Sequence, residues 1–196
     1  NSLDDGPDIS ISAERDEYLY EFQHLYRIND VILKSGINYF KSDRINEISA
    51  TLPFPPFTSS TTIEETSADH SNLYIYTETK ITDKFNILLG GSYDSFEGIE
   101  VIDQFNTKIG VYWNINKTTS VRAAAFRTLK RALTSDKTLE PTNVAGINQF
   151  FDDGEGTDAK RYANALDQKI TNNVTWGAEI SKRDLSVPFE ELSFSP

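Results

Sequence analysis

The chain has 196 residues, a formal charge of −11, 38% hydrophobic and 12% aromatic content, and no cysteine. This aromatic content excludes a disordered chain, the acidity excludes a nucleic-acid partner, which needs a basic footprint, and the missing cysteine excludes disulfides and thiolate chemistry. No run approaches the roughly 18 consecutive apolar residues of a spanning helix, so any membrane crossing falls to strands.

Residues 1–14 read as a polar lead-in, with Asp8 to Ala13 forming at most a short strand. Clear alternation begins at Tyr18, and Tyr18, Tyr20, Phe22, His24, Tyr26 and Ile28 share one aromatic face. After Asn29-Asp30, Val31, Leu33, Ser35, Ile37 and Tyr39 oppose Ile32, Lys34, Gly36, Asn38 and Phe40, which completes a hairpin. Residues 42–71 read as the longest connection, because proline excludes Leu52 to Phe57 from a central strand and Thr58 to Thr66 is Ser/Thr-rich.

A second hairpin runs from Asn72 to about Ser95, with Phe85, Ile87, Leu89, Gly91 and Tyr93 on one face of its return strand. In the cleanest strand, Phe105, Thr107, Ile109, Val111, Trp113 and Ile115 share one face and Asn106, Lys108, Gly110, Tyr112 and Asn114 the other. Aromatics near both ends with aliphatics between give the first set the pattern of a lipid-facing band flanked by aromatic girdles. Ser120 to Arg131 reads as the return strand or as a basic helix, since Val121, Ala124, Ala125 and Leu129 also recur at helical spacing. A second long connection, 130–157, includes a candidate strand from Asn143 to Phe151, and the last hairpin pairs Tyr162 to Ile170 with Val174 to Ile180.

Four strands end in isoleucine followed by a short polar turn, at Ile28, Ile81, Ile115 and Ile170, and the intervening connections are longer. Short turns at one rim and long loops at the other, on strands of about ten residues, are the layout of an outer-membrane β-barrel. The expected fold is therefore all-β: an antiparallel up-and-down transmembrane barrel, or part of one, with about eight to ten strands. Its meander covers 15–187 and its tail 188–196, and the whole reads as one segment of a larger barrel. Phe105, Ile109, Val111, Trp113 and Ile115 are expected to face lipid, and Lys34, Asn106, Lys108, Arg122 and Asp167 the lumen.

Motifs for chemistry are sparse. His24 and His70 are the only histidines, and neither belongs to a transition-metal ligand pattern. Gly-x-Ser-x-Gly is missing, and Gly90-Gly91-Ser92 lies inside a strand without the lysine and helix of a phosphate loop. Asp152, Asp153, Glu155 and Asp158 flank glycines, a pattern open to an acidic turn or to oxygen ligation of calcium. No cofactor and no enzymatic activity are expected.

Arg122 to Arg131, Leu139 to Gly146 and Asn148 to Asp153, together with Gln104 to Asn114, carry a resemblance. They are similar to the barrel region of bacterial outer-membrane proteins, in particular TonB-dependent-receptor-like barrels and tetratricopeptide-repeat proteins that end in such a barrel. The resemblance spans about Asn72 to Pro188. It implies an outer-membrane location, outer-membrane lipid and lipopolysaccharide as partners, and a part in a pore or in a transporter or receptor wall. Two other readings stay open: a soluble lipocalin-like barrel that turns its aromatic face inward onto an apolar or sugar ligand, and an exported surface module.

Overall fold

The computed structural model describes residues 8–51, 59–98, 100–130, 138–149 and 153–188, and ten strands form among them. They are β1 (Asp8–Ile28), β2 (Val31–Thr51), β3 (Ser59–Thr82), β4 (Phe85–Glu97), β5 (Val101–Asn114), β6 (Thr119–Leu129), β7 (Asn143–Val144), β8 (Ile147–Asn148), β9 (Asp158–Lys169) and β10 (Thr175–Ser186). Eight make one antiparallel sheet, ordered β1-β2-β3-β4-β5-β6-β9-β10 and curved into a half-barrel, while β7 and β8 pair as a separate hairpin. Among the described residues β1 and β10 pair with no further strand, so the wall has two open edges.

The isoleucine-ended turns all lie on one rim. Asn29 enters the first with φ 47°, a left-handed conformation that asparagine tolerates. At the second, the register shifts between Lys80 and Thr82, and Lys80 Nζ lies 2.7 Å from Asp83. The hydrogen bond from Lys80 holds the Asp83 carboxyl below its ordinary range. In the third, the Asn116 side chain accepts hydrogen bonds from the Thr118 and Thr119 amides and from the Thr118 hydroxyl, at 2.8–2.9 Å. That local bonding closes the turn, and the Lys169 amide, donating to the Thr118 carbonyl at 2.8 Å, ties it to β9.

The opposite rim departs from the sequence reading. Residues 42–51 and 59–69 are not connection: they continue β2 and β3 in unbroken register, Asp8↔Thr51 and Thr51↔Ser59, and the lead-in residues 8–14 belong to β1. Backbone pairing extends these arms, and their alternation is weak because neither face is covered there. Glu97 and Asp103, outside the strands read from sequence, are likewise strand residues, since β4 and β5 are joined through 98–100 alone. Ser120 to Leu129 is strand, not helix. Residues 1–7, the Pro53–Phe57 segment, Asp152 and 189–196 lie outside the described residues.

Alternation sorts the side chains onto two faces. Phe105, Ile109 and Trp113 are 61%, 54% and 48% exposed on the outer face, whereas Asn106 and Lys108 between them are buried at 0% and 2%. Val111 is half-buried on the same outer row and Ile115 is exposed in the turn beyond β5. The outer row continues across the register, through Tyr20, Phe22 and Tyr26 on β1, Val31 to Tyr39 on β2 and Trp176 to Ile180 on β10. Every other residue from Tyr20 to Ile28, Val31 to Tyr39, Leu73 to Thr79, Ile87 to Tyr93, Phe105 to Trp113, Val121 to Ala125, Tyr162 to Gln168 and Trp176 to Ile180 makes up this band. It contains no aspartate, glutamate, lysine or arginine.

Candidate functional site

The inner face carries the polar chemistry, and its upper half is a closed network. Asp94 on β4 is 3% exposed and accepts four hydrogen bonds. His70 Nε2 (3.0 Å) and Asn72 Nδ2 (2.7 Å) donate to one oxygen, Ser92 Oγ (2.8 Å) and Asn106 Nδ2 (2.6 Å) to the other. A carboxylate only accepts, so Nε2 is the protonated nitrogen of His70; its Nδ1 is buried with no partner among the described residues. Asn38 joins through Asn72 at 3.3 Å, and Gln104 through Asn106 at 2.5 Å. Four donors on two oxygens compensate the removal of the carboxylate from water.

Below this network a strap, residues 138–149, folds back across the inner face. Glu21 on β1 accepts from the Thr138 hydroxyl at 2.5 Å and the Leu139 amide at 3.0 Å, and Gln23 donates to the Leu139 carbonyl. Glu140 is 3% exposed, accepts from the Tyr76 hydroxyl at 2.6 Å and lies 3.5 Å from Lys108 Nζ. Gln149 donates to Tyr76 at 3.0 Å. At the far side Arg122 donates to the Gly146 carbonyl and Arg161 to the Asn148 carbonyl, both at 2.8 Å. One twelve-residue segment is thus tied to β1, β3, β5, β6 and β9.

The strap reverses at Ala145 (φ 51°) and Gly146 (φ 75°), the two left-handed positions that a two-residue hairpin turn requires. That turn presses Val144 and Ile147, both 0% exposed, onto Ala124, Phe126 and Ala163, with Leu88 at the margin. Gly110 makes room for it: a Cβ there would stand 2.8 Å from Ala145 Cβ and 2.9 Å from Val144 Cγ1. Gly110→Ala is expected to cost about 1–3 kcal/mol by overpacking. Hydrogen exchange checks the locus, with protection falling at Val144 and Ile147 while the β4–β5 amides stay protected.

Each lumen residue expected from sequence lies on this inner face. Lys34 shares the cross-strand row of Tyr76, Gly90 and Lys108. Asn106 and Lys108 belong to the network, and Arg122 forms a forked pair with Asp167 at 2.8 and 3.3 Å. Of the calcium candidates, Asp152 lies outside the described residues, and the other three face arginines. Asp153 pairs with Arg183, Glu155 lies 3.7 Å from Arg15, and Asp158 binds Arg127 at 2.7 and 2.8 Å. Among the described residues no cluster of three or more metal-ligating side chains forms. The sequence reading missed His70, Asp94, Glu140 and Tyr76; inward phase relative to Tyr93 and Ile75 was the available signal for all but Glu140.

Comparison with known proteins bears on the fold alone. No protein-family model matches the sequence, and no curated protein matches it. Among solved structures, the chain is similar to a chain in the structure of the FpvAI–pyocin S2 complex, at 14% identity with a TM-score of 0.57. The match covers 91% of this chain and 26% of that one, so the chain spans about a quarter of the length of its structural neighbour. At this identity the two share an antiparallel barrel-wall architecture.

Proposed function

We propose that the chain forms part of the wall of an outer-membrane pore or transporter, with its short turns periplasmic and its long acidic arms outside. The observation that carries this reading is the outward band, which runs across eight strands without a charged side chain. On β1 it covers Tyr20 to Ile28, nine residues, close to the roughly 9–11 that a tilted strand needs to cross a bilayer. Tyr20, Tyr39, Tyr93 and Phe105 stand at its upper border and Trp113 and Trp176 at its lower, in the manner of interfacial aromatic girdles. The apolar row meets lipid and lipopolysaccharide acyl chains, and the network-bearing face meets the lumen.

The arms support the same orientation. Above the band β1, β2 and β3 continue for residues 8–19, 40–51 and 59–72, or roughly 40 Å at strand rise, and carry Asp16, Asp43, Glu47, Glu64 and Glu65. Lipid leaves no exposed backbone unpaired, so both open edges require strand partners within the complete wall. The alternative soluble barrel needs the aromatic row inside, and the outward position of Phe105, Ile109 and Trp113 speaks against it.

Reconstitution tests the proposal. The full-length protein is expected to enter liposomes of outer-membrane-like composition, migrate as a heat-modifiable folded form, and become protease-resistant over the band. A protein that stays in the aqueous fraction with every lipid and detergent tried sinks the reading.

A further inference from the structure

Beneath the strap, toward the short-turn rim, the inner face changes character. Two cavities of about 330 and 240 Å³ run along the lower edge of the strap and share Glu78, Leu88 and Asn143 as lining. Lys34 stands at one end, and Asn86 and Tyr112 at the other. Asp94, Lys108 and Glu140 are bonded above, and Arg122 is held by Asp167, but Lys34, Glu78, Asn86 and Tyr112 have no hydrogen-bond or ionic partner among the described residues. Half-buried polar side chains that converge on a concavity and are engaged by nothing in the fold are free to meet a ligand.

The register fixes what the site can hold. Lys34 lies opposite Tyr76 and Glu78 opposite Ile32, so cation and anion are diagonal neighbours about 7–8 Å apart across the two strands. Each faces the groove and they do not pair with each other. A neutral sugar would engage neither charge, and a simple ion would match one and be repelled by the other. A molecule that carries one ammonium and one carboxylate matches both, and Leu88 supplies an apolar floor for a short side chain. The larger cavity sits at the lower end of the range for small-ligand sites, which limits the guest to one or two residues.

We propose that the groove beneath the strap, between Lys34 and Glu78, binds a small zwitterion, a free α-amino acid or a dipeptide. This rests on the lumen reading above for its biological setting, but the groove is built within one chain. Its test therefore stands even if insertion fails.

The test is a titration of the full-length protein, in proteoliposomes and in detergent, with alanylalanine, its N-acetyl form and its C-terminal amide. The expected result is saturable binding of the free dipeptide, with each blocked form weaker by about tenfold or more, the size expected for a lost charged hydrogen bond. Glu78→Gln is expected to remove the penalty for N-acetylation and Lys34→Met the penalty for amidation, each leaving the other penalty in place. Absence of saturable binding, equal affinity for all three peptides, or unchanged discrimination in both folded variants overturns the proposal. Failure to enter liposomes with binding retained in detergent overturns the wall reading and leaves the groove standing.

Discussion

Ile109→Arg is expected to block assembly into a bilayer while leaving a soluble sheet nearly untouched, which makes it the sharpest discriminator of the proposed membrane wall. Ile109 is central in the outward row of β5, two rungs from Phe105 and two from Trp113, and it pairs laterally with Leu89 and Ala125. An arginine on the lipid face costs about 2–4 kcal/mol at the bilayer midplane and falls to about 0–1 near the interfaces. Ile109→Arg should therefore lower the folding free energy in vesicles by about 2–4 kcal/mol, and Trp113→Arg by less. Asp103→Arg, beyond the aromatic border, should have almost no effect. In water the ranking would vanish, because Ile109 is 54% exposed and exposed substitutions stay within about ±0.5 kcal/mol. Urea titration of vesicle-folded protein, read by heat-modifiable mobility, measures the series, and a flat profile across the three positions would falsify the lipid-facing assignment.

Legibility in the sequence followed contrast between the two faces. Phe105 to Ile115 alternates large apolar against polar residues, and over Phe105 to Gly110 exposed and buried positions alternate strictly because one face is outside and the other is packed. In the arms of β2 and β3 neither face is covered, so 42–51 and 59–69 show no contrast and resembled a loop. Asp94 was hidden differently. It stands in a run of acids with Glu97, Glu100 and Asp103, and only its inward phase relative to Tyr93 sets it apart. The strap is the least legible part: its own hairpin is local, but the contacts that hold it against the sheet are with distant strands. Glu21 is 118 residues from Leu139 and Tyr76 is 64 from Glu140. Local periodicity contains none of that information.

The strap also carries the second large effect, through the buried pair of Lys108 and Glu140. Both are almost fully enclosed, at 2% and 3% exposure, and the ammonium also donates to Ser92 Oγ at 3.2 Å and lies 5.5 Å from the Tyr76 ring centroid. Removing one member strands the other charge out of water, which costs about 3–5 kcal/mol. Lys108→Met and Glu140→Gln should each destabilise by that amount. The double variant should recover most of it, to within about 2 kcal/mol of the parent, because no unpaired charge is left buried and the amide oxygen introduced by Glu140→Gln can still accept from the Tyr76 hydroxyl. A double-mutant cycle in vesicle-folded protein therefore gives a large coupling, and additive losses would mean that the two charges are not energetically paired. Location separates this from a general loss of stability. The pair is the central tie of the strap, so Lys108→Met should release Val144 and Ile147 to hydrogen exchange while the paired amides of β1 and β2 keep their protection. Solute flux through reconstituted protein should rise in the same variant and return toward the parental value in the double. Flux that rises equally in both variants would place the obstruction elsewhere than the strap.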